Sequence, residues 1–363
     1  DSFETRGNAA ATSAELVIDV KDCDGDGALD RGETATVTIP VVNVGSDTLS
    51  GVEVTATSTT AGVVVTGGPN VLGTLAPDAG GTATFQVTLD SATGPAAATV
   101  DVTITSPGGC SETRQIVLPV RLEADDQRLA SATDHFDALT SPWNPIGDFG
   151  DRAWTLQATT ALDHYWNGAD LGTVSDSALE SPALEAGSGN VTVAFDHSYQ
   201  FEFSNDTFFD GGMIEVTTDN GVNWRDVSEL ATVPYDGLLG IDSGNPLGDR
   251  MAFGDRNPSF PATDHVVLDF GNRLAGQTFK LRFRIGTDQA VGGAGWNIDE
   301  LVVTGITNKP FPEVIADAGA CEAVEGGDDG GCCSTGSGPG ASIAAGAVVA
   351  ALVRRRRRGA KVA

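Results

Sequence analysis

The stretch DCDGDGALDRGE (22–33) lies between ELVIDV (15–20) and TATVTIPVVNV (34–44), and the fold turns on how it is read. Counted from Asp22, the acids Asp22, Asp24, Asp26, Asp30 and Glu33 fall at positions 1, 3, 5, 9 and 12. Gly27 stands at the sharp turn and the Ala28 carbonyl at position 7, which completes the oxygen-donor pattern of a calcium loop. Alternate carboxylates on a tightly turning backbone converge on one hard cation. Without the cation they repel, so binding is coupled to folding. A calcium sensor opens a pair of helices, whereas both flanks here alternate apolar and polar residues at period two, as strands do. The loop therefore reads as a Ca2+ staple, with a plain acidic turn as the bland alternative.

The rest of the chain suits short strands and polar turns. Its 363 residues are enough for two or three domains with their own cores. Lys and Arg number 21 against 50 Asp and Glu. Six of those bases crowd into the last ten residues, Arg354, Arg355, Arg356, Arg357, Arg358 and Lys361, so the remainder is more acidic than the net charge of −29 suggests. Such a surface repels a phosphate backbone, which excludes nucleic acid as a partner and favours cations. The chain opens on Asp1 without Met, which reads as a processed or excised product. Of five Cys, Cys23 and Cys110 lie near the two ends of the first domain, where a disulfide of the kind found in exported proteins is expected.

Seven strand-length runs between 14 and 121, from ELVIDV to RQIVLPVRL (114–122), are separated by Gly, Pro, Asp and Asn. They predict an immunoglobulin-like β-sandwich over 14–121, after an N-terminal linker at 1–13. A linker at 122–133 then leads to a second domain at 134–307, which holds every Trp and Tyr. Its strand-like runs predict a two-sheet jelly roll. In LRFRIG (281–286), Arg282 and Arg284 alternate with apolar residues and are expected on the exposed face.

Two resemblances sharpen this reading. The acidic loop followed by TVTIPVVNVGSDTLSGVEVT (36–55), with its Asn43-Val44-Gly45 turn, resembles the calcium-stapled β-sandwich modules that follow catalytic domains in secreted bacterial proteases. The set FDHSY (195–199), DGGMIEVTTDNGVNW (210–224) and GWNIDELV (295–302) resembles the jelly-roll accessory modules of secreted metallopeptidases, whose relatives include adhesive, sugar-binding and purely structural modules.

Catalytic patterns are missing. His135, His164, His197 and His265 include no pair four residues apart, so HExxH is absent, and so are GxSxG and the phosphate-loop glycine motifs. Asp196, His197 and Ser198 are strand neighbours whose side chains alternate faces, so they form no triad with one another. Further calcium ligands are sought at Asp210 and Asp299, then at Glu300, Asp148 and Asp151. A sugar would need exposed aromatic platforms, for which Trp143, Tyr165 and Trp166 are the candidates.

After a Gly-rich low-complexity linker at 308–340 come ASIAAGAVVAALV (341–353) and a basic tail at 354–363. The apolar run is expected to form a short hydrophobic transmembrane helix, although its thirteen residues fall short of the roughly 20 of an ordinary span. Cys332 and Cys333, the apolar run and the arginine block together resemble the C-terminal sorting signal of myxobacterial surface proteins, which implies sorting or processing machinery acting at one of those Cys. The expectation is an exported all-β protein of a Gram-negative bacterium: the calcium-binding, non-catalytic accessory region of a secreted metallopeptidase. Its expected partners are an upstream catalytic domain and a protein or polysaccharide substrate surface. The alternative is a free-standing cell-surface adhesin or carbohydrate-binding module.

Overall fold

In the computed structural model, the described residues are 7–21, 24–91, 94–147 and 153–317. They divide between two compact units that meet in sequence between Glu123 and Ala124, the second running Ala124–Ala316. Both units are all-β and multi-sheet, and no sheet closes into a barrel.

Among the described residues the first unit contains nine strands: β1 (Ala9–Ala11), β2 (Glu15–Lys21), β3 (Thr34–Asn43), β4 (Leu49–Thr57), β5 (Val63–Thr66), β6 (Asn70–Leu75), β7 (Gly80–Leu89), β8 (Ala96–Thr105) and β9 (Thr113–Leu122). One sheet runs β1-β3-β7-β5 with β2 also on β3, and the other runs β6-β4-β8-β9. This is the strand order of an immunoglobulin-like sandwich, with β6 added at the β4 edge. The reason is visible in β3, where Ala35, Val37, Ile39, Val41 and Asn43 are buried and the intervening residues are not. Asn43 is the polar exception. Its Oδ1 accepts from the Asn8 and Gly45 N–H groups at 3.0 and 3.1 Å. Its Nδ2 donates to the Asp47 and Leu75 carbonyls at 2.8 and 3.0 Å. The Asn-Val-Gly turn is thus held by one fully bonded buried side chain.

In the second unit the chain crosses repeatedly between two sheets. The main strands are β10 (Asp163–Gly168), β11 (Ser175–Glu180), β12 (Val191–Gln200), β13 (Gly211–Thr217), β14 (Arg225–Asp226), β15 (Asp264–Gly271), β16 (Thr278–Thr287) and β17 (Gly295–Thr304). One sheet has the order β10-β17-β12-β15 and the other β11-β16-β13-β14, the path of a double-sheet jelly roll. Between them Phe195, Phe253, Phe283 and Trp296 pack with ring centroids 5.2 to 5.5 Å apart. Gly212 makes room for this: a Cβ there would come within 2.4 Å of the Trp296 ring. The DGG and GW motifs, distant in sequence, are two halves of one packing contact.

Several expectations are corrected. The expected linker at 122–133 is instead largely a strand, Ala124–Ser131, paired antiparallel with Phe311–Ala316. Arg282 and Arg284 do alternate with apolar residues, but they are not exposed. The buried Glu215 carboxylate takes Arg282 at 2.6 Å, Arg250 at 2.7 Å and Arg284 at 3.2 Å. Arg284 also forks onto Asp176 at 2.5 and 2.7 Å, and Arg282 lies over the Trp224 ring at 4.4 Å. Burial alone would raise the Glu215 pKa, yet the three guanidinium groups hold it below the usual carboxylate value.

The helical part of the expected fold class is withdrawn. Among the described residues the one helical element is a 3-10 turn, Val227–Glu229. No helix among them is long and apolar enough to cross a membrane. The run at 341–353, with Cys332 and Cys333, lies outside the described residues. The expected disulfide is also corrected, because Cys110 is a free, exposed thiol. The Cys110 N–H bonds the Gly7 carbonyl in the turn before β9, whereas the acidic loop attaches at the far end of that strand through Leu29 N–H to Arg121 O at 2.8 Å. Ten residues of strand separate those ends by roughly 30 Å, against the roughly 6 Å between Cα atoms that a bridge tolerates.

Candidate metal centre

The acidic loop is the connection of the β2–β3 hairpin, in which Lys21 pairs with Thr34. Strands therefore flank it on both sides, and no helix pair is available for a sensor to open. Two points moor the loop to the sandwich: Leu29 bridges Leu122 and Arg31 bridges Leu89, both parallel. Ala28 and Leu29 are buried against the core, which turns the intervening acids into a compact arc.

Side chains close that arc. The Asp26 N–H donates to Asp24 Oδ1 at 3.3 Å, and the Ala28 N–H to Asp26 Oδ1 at 2.8 Å. Asp30 N–H donates to Glu33 Oε2 at 3.0 Å, while Glu33 N–H returns a bond to the Asp30 carbonyl at 3.0 Å. Gly27 has φ +88°, the left-handed conformation that a side chain disfavours. As a result Asp24, Asp26 and Asp30 each present a carboxylate oxygen, all within 4.8 Å of one another. That spacing suits a metal ion. Glu33 is buried and braces Asp30; Asp22 and Cys23 lie outside the described residues.

The two weaker candidates go to different places. Asp299 lies on β17 opposite Asp196, where burial, with Glu300, Asp163 and Asp137 adding to it, pushes it up to about 7. Glu300 accepts His135 Nδ1 at 2.6 Å. Asp210, just before β13, is 0 % exposed and forms a second acidic cluster with Glu202 and Asp288. Burial pushes Asp210 up to about 9, with the facing Asp170 adding to the effect. Sequence reading missed Glu202, Asp288 and Asp170, since no motif joins them. Asp148 and Asp151 lie outside the described residues.

The aromatic candidates are mostly core. Trp143, 5 % exposed, stacks on Phe311 at 6.2 Å and donates Nε1–H to Asp134 at 2.8 Å. Burial pushes Asp134 up to about 6. Trp166 is 6 % exposed and Tyr165 is half-buried, so neither Trp offers an open ring face for a sugar. The residues weighed as a triad bond elsewhere. Asp196 pairs with His265 at 2.6 Å, His197 accepts Trp296 Nε1–H at 3.2 Å, and Ser198 Oγ accepts Asn297 Nδ2–H at 3.2 Å.

Among the described residues, then, the first unit carries the acidic cluster of Asp24, Asp26 and Asp30 and the second that of Glu202, Asp210 and Asp288, each able to hold a metal ion. No family model matches it, and no curated protein matches it. Among solved structures, the secreted serine protease VesC from Vibrio cholerae is 14% identical over 78% of this chain and 49% of that one, with TM-score 0.25. The chain therefore spans about half the length of that protease. TmCBM61, solved with β-1,4-galactotriose, is 14% identical over 49% of this chain and 98% of its own, with TM-score 0.28. The K1 cleaved adhesin domain of Lys-gingipain from Porphyromonas gingivalis W83 is 12% identical over 48% and 96%, with TM-score 0.28.

Proposed function

We propose that this chain is a non-catalytic adhesive module of an exported protein, with a binding face at one loop end of the second unit and a first unit stapled by Ca2+. The observation that carries the adhesive reading is a run of exposed apolar side chains on adjoining loops. Phe203, Leu238, Ile241, Met251 and Val291 are all exposed, Ile241 to 71 % and Val291 to 66 %. The loops are tied together: Gly240 N–H bonds Phe208 O at 2.9 Å, Leu238 pairs with Met251, and Val291 N–H bonds Glu202 Oε2 at 3.1 Å. Apolar surface concentrated in this way marks contact with another surface. A protein or polysaccharide surface outside the cell is the proposed partner.

Calcium is the proposed ion of the first unit because its ligands are hard carboxylate oxygens on a flexible turn. Asp24, Asp26 and Asp30 would hold it, with Asp22, Glu33 and the Ala28 carbonyl completing the sequence pattern. Anchoring at the outer surface of a Gram-negative cell, through machinery acting at Cys332 or Cys333, extends the same proposal. The accessory region of a metallopeptidase is the second reading; an HExxH-bearing domain upstream in the precursor would favour it.

The test is retention of the full chain on polysaccharide and on protein-coated beads, wild type beside Phe203→Ala combined with Met251→Ala. A tenfold or greater loss in the variant, with its unfolding midpoint unchanged, is expected. Equal retention of the two proteins would remove the adhesive reading.

A further inference from the structure

We infer that Asp170, Glu202, Asp210 and Asp288 form a second calcium site, which cross-links four chain segments at the loop end of the second unit. Asp170 follows β10, Glu202 follows β12, Asp210 precedes β13 and Asp288 follows β16. Oxygens of Glu202, Asp210 and Asp288 lie within 4.8 Å of one another. Asp210 is 0 % and Asp170 7 % exposed, and Asp210 Oδ2 and Asp170 Oδ1 are buried with no N–H or hydroxyl donor, their two carboxyl groups having only each other. Buried carboxylate oxygens are costly to leave unpaired. Among the described residues no Lys or Arg pairs with any of the four.

Each carboxylate is aimed by its other oxygen. Asp170 Oδ2 accepts the Gly293 and Glu202 N–H groups at 2.7 and 3.2 Å. Asp210 Oδ1 accepts Asp288 N–H at 2.6 Å, Glu202 Oε2 accepts Val291 N–H at 3.1 Å, and Asp288 Oδ1 accepts Ala290 N–H at 2.8 Å. Backbone donors thus fix one oxygen of every acid and leave the second for an ion, as outer partners orient metal ligands. Gly292 lets the last segment close in, since a Cβ there would come within 2.2 Å of the Asp170 carbonyl oxygen.

Three gathered carboxyl oxygens, with Asp170 facing Asp210, suit a hard divalent cation, whose charge would draw the proton off Asp210. The number of carboxylates, and their placement on separate loops able to adjust, favour calcium over the smaller and more rigidly octahedral magnesium. This inference stands apart from the adhesive reading, because its four acids are not among the exposed apolar side chains on which that reading rests.

All five Trp lie in the second unit, so tryptophan fluorescence follows its unfolding within the full chain. Calcium in hundredfold excess over its dissociation constant is expected to raise that midpoint by roughly 5 °C relative to EDTA. Asp210→Asn keeps a neutral side chain that can donate to Asp170, as Asp210 itself does while burial holds it protonated, so it is expected to melt no lower than wild type in EDTA and to lose the calcium response. Asp26→Ala is expected to keep that response. If Asp210→Asn melts lower in EDTA, Glu202→Gln decides, with calcium affinity weakened at least tenfold expected. The proposal is overturned if the wild-type midpoint ignores calcium, if Asp210→Asn responds as wild type does, or if Glu202→Gln binds calcium as tightly as wild type.

Discussion

The two acidic clusters solve one electrostatic problem in opposite ways. In the first unit the acids come from a single hairpin connection, and a tight turn gathers them. In the second unit they come from four segments that the crossing chain brings to one end of a sandwich. A cluster of the first kind needs only its own loop to be formed. A cluster of the second kind exists only when the whole unit is folded, so an ion there would bind a finished tertiary structure.

The largest effect that separates the two units should come from acid. His197 is buried among Phe195, Tyr199, Phe253 and Trp296. Burial pushes it down to about 4, against the pull of Asp264 and Asp196. The unfolded chain has an ordinary histidine near 6.5, so between those values it binds a proton that the native state refuses. The stability tied to neutral His197 is therefore present above 6.5 and lost as pH falls towards 4, in total about 3 kcal/mol. Fluorescence-monitored unfolding in EDTA should show wild type losing about that much of its advantage over His197→Asn across this window. A constant difference would mean that the ring is not held neutral.

Next in size is Gly292→Ala, which touches no carboxylate. Forcing a methyl group against the Asp170 carbonyl should cost about 2 kcal/mol and should weaken the second unit's calcium response while leaving the first unit's intact. An unchanged response would show that the cluster does not depend on this close approach. The smallest effect is expected from Glu33→Gln. The amide oxygen still accepts Asp30 N–H, so a loss of about 1 kcal/mol should appear only with calcium present, read by calorimetry of the full chain. A similar loss in EDTA would make Glu33 a brace and not a ligand.

What sequence revealed follows the same division. The β3 pattern and the acid loop were legible because neighbouring residues carry the whole signal, a period of two in one case and a spacing of alternate acids in the other. Asp170, Glu202 and Asp288 were not, because only the strand crossings bring them to Asp210. The alternation around Arg282 and Arg284 was read correctly, but the outer face it pointed to is covered by Glu215, Asp176 and Trp224. Trp143 looked available as a platform because a sequence does not show that Asp134 and Phe311 enclose it. Cys23 and Cys110 looked paired because they bracket a domain in sequence. Opposite ends of a ten-residue strand keep Cys110 away from the acid loop.

Asn43 has a further consequence, in mechanical terms. Tension applied through the first described residues enters the sandwich at β1, which has only three residue pairs with β3, Ala9 opposite Asn43 among them. The other end of the unit leaves through β9, laddered to β8 over ten pairs. A pull between the two loads the short ladder together with the Arg114 bond to Asn8 Oδ1 at 2.7 Å and the Cys110 N–H bond to the Gly7 carbonyl at 2.8 Å, while Asn43 ties Asn8 to the Leu75 carbonyl of the other sheet. The first unit then has a built-in yield point at its shortest ladder, whose release would uncover the buried Ala9 side chain.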